Sequence, residues 1–466
     1  MLPPLIRRPG RSKSGEPRSK ERGFTMALVA LSIAMIVSMA ALSIDIGTLY
    51  EAKTEAQRAA DAAALTAARV ISISGITGSN GTDWGQICGA AGTATQAATS
   101  IAQQNLIGGT AAGTVSVNYG AGPGAATNTS CAGIANFAVN PVVTVSVQRT
   151  NLPVFFARIF SLFGSTYSGT TVSATATAEA FNPSASDTVG TSGNVIPVQP
   201  RCVKPWIIPN MDPATTAPVK TFVTLANASI TNPGISPPGV IGENFNIAAD
   251  CQRGRANCSG GNMLANPPTT SAGTVVEYIP ALVQGTPVGV PSCSNANPFQ
   301  EAIGGCDQTT NYACGTLLGT QADLTENPIN PGDRTGDTGT ATDCLIHSTG
   351  GGEDQLNAGT FPFQIQAGSD NPLVQSGIVT GGSNITASSS IVTIPVYDST
   401  VGALVGTQPQ VTVVGFLQVF IKDIAGANVN VYVLNVAACG NGQTTPVGPN
   451  PVTGTSPVPI RLITPP

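Results

Sequence analysis

Hydrophobic residues are concentrated near the start of the chain, in one uninterrupted run. Residues Phe24 to Ile44 form a stretch of 21 without a charge, a proline or a glycine. As an α-helix rising about 1.5 Å per residue, this run would be roughly 31 Å long, which matches the hydrocarbon thickness of a bilayer. The pattern predicts a membrane-spanning helix.

Beyond Ile44 the chain becomes more polar, yet the pattern predicts that the helix continues to Val70. This stretch has no proline and is rich in alanine, the best helix former. A stripe of mostly small apolar residues recurs at mainly three- and four-residue steps: Ile46, Leu49, Ala56, Ala60, Ala63, Ala67 and Val70. The stripe would let another helix approach closely, or it reflects only the stability of alanine-rich helices.

A second small-residue pattern lies within the apolar run itself. Ala30, Ala34 and Ser38 repeat at four-residue steps. This is the small-xxx-small spacing of close helix contacts in membranes, and it predicts a packing face. Small residues are also frequent in any apolar span, so the spacing leaves ordinary lipid exposure open.

After residue 70, period-two alternation between turns predicts strands. Val142–Val147 and Thr170–Phe181 alternate in this way, and the apolar cluster of Asn151–Ser161 between them predicts a short helix. Val411–Phe420 and Val429–Val436 predict a hairpin. The fold class is therefore α+β: one transmembrane helix continuing into an Ala-rich helix, a small α+β ectodomain, and a β-rich distal domain containing disulfides.

Changes in composition divide the chain into six predicted segments. Residues 182–194 read as a linker because Ser, Gly, Asn and Pro dominate there. The segments are a basic arm (1–22), the transmembrane and juxtamembrane helix (23–70), an α+β ectodomain (71–181), the linker (182–194), a β-rich domain (195–440) and a Pro-rich tail (441–466).

Charges on either side of the apolar run predict its orientation. Seven Lys or Arg residues and only two Glu precede it. Because positive flanks stay in the cytoplasm, the N-terminus is predicted to be cytoplasmic and the bulk of the chain to lie outside. A removed signal peptide, cut after Ser38-Met39-Ala40, is the alternative, although signal peptides usually have shorter apolar regions.

The net charge of the chain after residue 70 also limits which partners it can bind. After residue 70 there are ten Lys or Arg and nineteen Asp or Glu. Such an acidic and sparsely charged ectodomain offers no basic face to phosphate, so nucleic-acid binding is excluded.

The ten cysteines all follow the apolar run, which indicates disulfides in an oxidising compartment. Metal binding would favour close pairs such as C-x-x-C, and the sequence has none. Cys88 and Cys131 are the only two before the linker, so we predict that they pair. The other eight allow 105 pairings, and the sequence does not choose among them.

No catalytic pattern emerges, and the chain is predicted not to be an enzyme and to use no cofactor. It has no G-x-S-x-G or H-E-x-x-H motif and only one histidine, His347. Five acidic residues in one Gly/Asn/Thr-rich stretch would bind Ca²⁺ or form solvated turns: Asp323, Glu326, Asp333, Asp337 and Asp343. Their spacing matches no calcium-binding repeat, which favours solvated turns.

Two short motifs carry a resemblance to a known family. Asp45-Ile46-Gly47 follows the apolar run, and Asp61-Ala62-Ala63-Ala64-Leu65 follows after a polar stretch. In this order they resemble the N-terminal region of TadG-like Tad (tight adherence, Flp) pilus-assembly proteins. The strands around Asn151–Ser161 are similar to the segment that closes the first ectodomain in many such proteins. The Asp-x-Ser-x-Ser metal motif of many relatives is missing. Gly23-Phe24 resembles a prepilin processing site, but Leu28 stands where prepilins carry Glu.

The resemblance implies a structural role. It implies a component of a Tad-type pilus involved in surface attachment, anchored in the bacterial inner membrane by one helix, with a periplasmic or extracellular ectodomain. Pilins or proteins of the assembly platform would contact the helix. The alternative is a membrane-tethered adhesin or carbohydrate-binding or carbohydrate-active protein that uses a TadG-like stem.

Overall fold

The computed structural model gives the fold of most of the chain after the basic arm. The residues it describes are 21–75, 84–122, 128–134, 137–138, 141–153, 156, 170–180, 198–214, 221–225, 230–232, 234–237, 239–249, 275–283, 297–313, 317–319, 335–347, 351–359, 361–399, 410–426, 428–439, 452–454 and 456–463.

Six helices occur in the described residues: α1 (Glu21–Ile73), α2 (Trp84–Cys88), α3 (Thr93–Gln104), α4 (Pro298–Gly304), α5 (Thr335–Ile346) and α6 (Pro372–Gln375). The strands are β1 (Thr114–Ala121), β2 (Pro141–Leu152), β3 (Thr170–Ala180), β4 (Val198–Pro200), β5 (Trp206–Pro209), β6 (Asn244–Ala249), β7 (Val275–Pro280), β8 (Leu317–Gly319), β9 (Gln355–Asn357), β10 (Gln364–Gln366), β11 (Asn384–Ile385), β12 (Ile391–Tyr397), β13 (Gln410–Ala425), β14 (Asn428–Ala438), β15 (Val452–Gly454) and β16 (Ile460–Ile463).

Helix α1 is the longest element and is called the stem helix below. Its 53 residues correspond to a length of about 80 Å. The predicted continuation of the transmembrane helix through the alanine-rich stretch is confirmed. The absence of proline from this stretch keeps the i to i−4 hydrogen bonds intact from one half to the other.

The first ectodomain is an antiparallel sheet in the order β1-β2-β3-β16, with the stem helix and α3 packed against it. Both predicted strands are confirmed, although β3 alternates only as far as Ala176, and Thr177 to Ala180 are all buried. In β2, Val143, Val145 and Val147 are buried, while Thr144 and Ser146 between them are only partly buried. The buried side chains and the alanines of the stem helix share one hydrophobic core.

The fourth strand of this sheet comes from the far end of the chain. Strand β16 pairs with β3, and Ile460 lies opposite Ala180. The guanidinium Nε of Arg461 forms an ion pair with Glu179, whose side chain is fully buried. Part of the segment predicted as a Pro-rich tail (441–466) is therefore built into the membrane-proximal sheet.

The distal domain is a barrel-like mixed sheet in the order β12-β5-β7-β6-β14-β13-β8. Because β12 also pairs with β13, six of these strands close into a ring. Large side chains from several strands fill one core, among them Trp206, Phe245 and Tyr278. Closure removes the free edges that would otherwise remain on β12 and β13.

Smaller elements surround the barrel. Strand β15 pairs with β4, and β9, β10 and β11 form a small antiparallel sheet. Helix α4 begins with a capping box between Asn297 and Gln300, and α6 begins with Asn371, whose side chain accepts from the backbone of Leu373. These caps satisfy donors that a helix start leaves without partners.

The predicted α+β class is confirmed, with two differences in detail. The hairpin β13–β14 is longer than the sequence predicted, because Asp423 to Ala425 belong to β13 and pair with β14. The linker at 182–194 lies outside the described residues, as does most of the predicted short helix in Asn151–Ser161.

Candidate assembly site on the stem helix

The membrane half of the stem helix exposes its apolar side chains. One helix in the described part of the chain is long and apolar enough to cross a membrane, and it is this one. The exposed large apolar residues of the span are Phe24, Met26, Leu28, Val29, Leu31, Ile33, Met35, Ile36, Val37, Met39, Leu42 and Ile44. This confirms a single apolar helix suited to anchor the chain.

The small-residue face predicted within the span is exposed as well. Ala30, Ala34 and Ser38 all lie on the surface. The hydroxyl of Ser38 donates to the carbonyl of Ala34 at 2.7 Å, so its polar group is satisfied within the helix. The face is thus apolar and carries no long side chain. Its packing against a partner stays a prediction.

Asp45 marks the point where the apolar run ends. Its side chain is 2% exposed, and its Oδ2 accepts a hydrogen bond from the backbone N–H of Phe156 at 2.9 Å. The first carboxylate after the span therefore holds the backbone of Phe156 against the helix. Hydrogen bonds to a charged acceptor are stronger than those between neutral groups.

Gly47, the other fixed residue of the first motif, is exposed. A Cβ built at this position meets no atom within 4 Å. Contacts among the described residues therefore do not require glycine here.

The alanine stripe of the juxtamembrane half is buried within the chain itself. Ala56, Ala60, Ala63 and Ala67 have no exposed surface. Helix α3 contributes a matching row of buried alanines (Ala94, Ala98 and Ala102) to the same core. The close helix approach that the stripe suggested is therefore intramolecular, and the stem helix is the central helix of its own ectodomain.

The second motif, residues 61–65, belongs to this packed stretch. Asp61 is half-buried and accepts from the amide Nε2 of Gln57 at 2.8 Å. Ala63 and Ala64 are buried, Ala62 is half-buried, and Leu65 packs against the core. The motif's small residues allow the sheet and α3 to lie close to the stem helix.

Polar contacts beside the alanines fix the rotation of the helix on the sheet. Lys53 Nζ donates to the carbonyl of Ser173, and Gln57 Nε2 donates to that of Thr175 at 3.4 Å. Glu55 Oε2 accepts from the backbone N–H of Gly108 at 2.6 Å. A rotation of the stem helix that turned the alanine stripe outward would break these hydrogen bonds.

The last turn of the stem helix is joined to the distal barrel by buried polar groups. Asn435 Nδ2 donates to the carbonyl of Ser72 at 2.8 Å, and Gln418 Nε2 donates to Ser456 Oγ at 2.8 Å. The hydroxyls of Ser72 and Ser456 are 3.5 Å apart. We call these four residues the junction cluster; all are nearly fully buried.

A cavity of about 290 Å³ lies at the end of the stem helix, with Val70, Ile73, Phe363 and Ile385 among its lining residues. Arg69 donates from Nε to the carbonyl of Thr386 at 3.4 Å, and burial lowers the pKa of Arg69. The end of the stem helix is thus in contact with both domains.

Sequence reasoning missed both the Phe156 contact and the junction cluster. One signal for the junction was present: Asn435 interrupts an otherwise apolar strand segment, VYVLNVAA. A buried amide in such a strand needs a hydrogen-bonding partner. The sequence does not identify that partner, because it is a helix carbonyl far away in the chain.

The predicted disulfide between Cys88 and Cys131 is present, with Cα atoms 5.5 Å apart. Cys202 and Cys306 form a second bridge, with Cα atoms 4.1 Å apart. Cys344 and Cys439 each belong to a disulfide as well. The cysteines thus serve as covalent cross-links in both domains.

Other candidate chemistry gives no metal-binding cluster within the described residues. They contain no cluster of three or more His, Cys, Asp or Glu that could hold a metal ion. Of the acidic stretch considered for Ca²⁺, Asp337 and Asp343 lie on α5, and Asp337 Oδ2 accepts from Asn297 Nδ2 at 2.9 Å. The other three residues lie outside the described part.

Among the buried ionisable groups of the distal domain, Glu243 and Lys204 have strongly shifted pKa values. Burial and the nearby charge of Asp212 raise the pKa of Glu243 to about 8. Burial lowers the pKa of Lys204 to about 7, and its Nζ donates to the carbonyl of Gly305 at 2.8 Å. Both groups make stability sensitive to pH, as argued in the Discussion.

Comparison with known proteins agrees with the position of the two motifs. Residues 23–70 match the family model Tad, described as "Putative Flp pilus-assembly TadE/G-like". The matched segment is the stem helix apart from its ends, and it carries both motifs. No curated protein and no solved structure matches the chain. The suspected resemblance to Tad pilus-assembly proteins is therefore confirmed over this segment, which supports a Tad/Flp pilus-associated role.

Proposed function

We propose that the protein is a membrane-anchored structural component that helps to assemble a Tad-type (Flp) pilus and so contributes to surface attachment. One observation carries the proposal. The segment that matches the Tad family is a single helix whose first half is exposed and apolar and whose second half is buried in its own ectodomain. Such a helix ties a folded domain to a membrane and leaves one half available to partners.

The bilayer accounts for most of the exposed apolar surface. Moving a large aliphatic or aromatic side chain out of water is worth about 1.5–3 kcal/mol. The span presents twelve such side chains. Their removal from water strongly favours insertion over a soluble state.

The bilayer does not need the small-residue face, because lipid tails pack against large and small side chains alike. Ala30, Ala34 and Ser38 let a second helix backbone approach closely, and van der Waals packing drives association there. We therefore propose that this face contacts a pilin or a helix of the assembly platform. The charge asymmetry supports an inner-membrane orientation with the basic arm in the cytoplasm and the ectodomain outside.

The proposed role is non-enzymatic. The chain offers disulfides, a closed barrel and a domain junction, which are features of a stiff structural part. A membrane-tethered adhesin or glycan-binding protein is the second candidate, and the disulfide-bonded distal barrel is the feature that favours it. The assembly role predicts that altering the stem helix alone abolishes pili, whereas the adhesin role does not.

The test is complementation of a strain that lacks the gene. One form is the full chain, and a second has Phe24–Ile44 replaced by an unrelated leucine-alanine span of equal length. Surface pili are counted by electron microscopy, and membrane levels of both forms are matched by immunoblot. We expect the full chain to restore pili and the replaced span to fail. Restoration of pili by both forms would contradict a role for the span beyond anchoring. Normal pili without the gene would contradict the assembly role and favour the adhesin.

A further inference from the structure

The contact between Asp45 and Phe156 places a second part of the ectodomain at the depth where the stem helix leaves the membrane. Asp45 is the first charged residue after the apolar run. The backbone N–H of Phe156 lies 2.9 Å from its carboxylate. The backbone of Phe156 therefore lies level with the end of the span, although 111 residues separate the two in sequence.

The side chain of Phe156 is 41% exposed at this level. On the stem helix, Leu42 and Ile46 flank Asp45 in sequence and are exposed to a similar degree. With about 1.5 Å per residue, these two lie roughly 5 Å below and 2 Å above Asp45 along the helix axis. Exposed apolar groups on two separate elements thus occur within one narrow layer.

That layer coincides with the boundary between acyl chains and headgroups. The hydrocarbon core is about 30 Å thick, and the whole bilayer about 40–45 Å, which leaves roughly 5–8 Å of headgroup region on each side. Tyr50, five residues past Asp45 and strongly exposed, lies within this headgroup layer. An aromatic ring with a polar tip is favoured in that position.

We propose that the ectodomain rests on the outer leaflet through Phe156, whose ring inserts among the lipids beside the stem helix. The proposal rests on the anchoring role of the stem helix given under Proposed function. The protein would then contact the bilayer at two points, so that the ectodomain cannot swing freely about the end of the span.

The chemistry of the contact favours the lipid interior over charged headgroups. The ionisable side chains of the stem helix just above this layer are Glu51, Lys53 and Glu55. Lys53 already donates to the carbonyl of Ser173, and Glu55 already accepts from the backbone of Gly108. In the sequence, residues 151–163 carry one charge, Arg158. The contact is therefore expected to form with zwitterionic lipid.

Three single tryptophan substitutions in the full chain test the proposal. The chain is placed in nanodiscs of phosphatidylcholine that carry bromine, a fluorescence quencher, either near the headgroup or near the end of the acyl chains. Phe156→Trp reports the proposed contact, Leu31→Trp reports the middle of the span, and Ile378→Trp is a matched control. Ile378 is 70% exposed and belongs to the distal domain. Wild type supplies the background of the two native tryptophans.

We expect bromine near the headgroup to quench the fluorescence of the tryptophan at position 156. Bromine near the end of the acyl chains should quench the tryptophan at position 31. Neither lipid should quench the tryptophan at position 378. Quenching at 31 without quenching at 156 would overturn the Phe156 contact and leave the anchor intact. Absence of quenching at both positions would overturn the anchor as well. A blue shift at 156 without quenching would show that protein, not lipid, covers this position.

A second measurement needs no substitution. Hydroxyl-radical labelling of the wild-type Phe156 side chain is compared in nanodiscs and in a short-chain detergent. The proposal requires less labelling in nanodiscs, while labelling of Ile378 stays unchanged. Equal labelling of Phe156 in both would contradict insertion.

Discussion

The side-chain amide of Asn435 donates a hydrogen bond to the carbonyl oxygen of Ser72 at 2.8 Å, and both residues are completely buried. One belongs to strand β14 of the distal barrel and the other to the last turn of the stem helix. Carbonyls in a last helical turn have no intrahelical partner. The barrel therefore caps the stem helix, and a displacement of the barrel would break this hydrogen bond to the last turn of the helix.

Asn435→Ala should lower the free energy of unfolding by about 1–3 kcal/mol, because it leaves a buried carbonyl without its donor. Chemical denaturation of the purified chain in detergent measures this. Asn384→Ala, at an exposed position on β11, is the matched control and should have little effect. Equal stability of the two variants would show that the bond contributes nothing to holding helix and barrel together.

Asp45→Ala should free the backbone of Phe156 from the stem helix. Loss of the acceptor is expected to increase amide hydrogen exchange at Phe156 by about tenfold, which corresponds to about 1.4 kcal/mol of local opening energy. Asp45→Asn keeps an acceptor oxygen without the charge and should give an intermediate rate. Exchange followed by mass spectrometry gives the rates, and unchanged protection in the alanine variant would argue against the anchoring role of this carboxylate.

Ala63→Leu should disrupt the contact between the stem helix and its ectodomain. The position is fully buried, and overpacking of a tight core usually costs about 1–3 kcal/mol. The control is the neighbouring Ala62→Leu, which lies in the same motif but is only half-buried. In detergent, the unfolding temperature of Ala63→Leu should be well below that of Ala62→Leu. The reverse order would mean that the motif serves a surface rather than the core.

The stability of the chain should depend on Glu243 in a definite pH window. Its pKa is raised from 4.5 to about 8, so the folded state holds a proton that the unfolded state releases above its own pKa. The contribution is complete below about pH 4.5 and is lost as the pH rises through about 8. Lys204, with its lowered pKa, acts in the opposite direction at higher pH.

Glu243→Gln isolates this effect, because a neutral amide cannot ionise. The unfolding temperature of the variant relative to wild type should rise between about pH 5 and pH 8. Asp423→Asn removes an exposed carboxylate and should show no such trend. A difference between Glu243→Gln and wild type that is constant with pH would contradict the burial of an ionisable Glu243.

Part of the fold could be predicted from the sequence because it depends on residues that are close together in the chain. The apolar run, the alanine-rich continuation and the two motifs define the stem helix by composition and period alone. The pairing of Cys88 with Cys131 followed from there being only two cysteines before the linker. The hairpin β13–β14 followed from two adjacent alternating segments.

Contacts between distant parts of the chain could not be derived in the same way. Strand β16 joins β3 through pairs such as Arg461 and Glu179, which are 282 residues apart. Barrel closure depends on pairings of only two residues between β5 and its neighbours. Nor does the sequence reveal that the alanine stripe is covered by α3, because a buried stripe and a docking stripe have the same period.

We propose that the membrane half of the stem helix contacts another part of the pilus machinery through its small-residue face. A photo-crosslinking residue at position 34 tests this most directly in living cells, with position 378 on the distal domain as the control. The account predicts a crosslinked product at position 34 that contains a pilin or an assembly-platform protein, identified by mass spectrometry, and none at position 378. Crosslinks at position 34 to lipid alone would contradict the account.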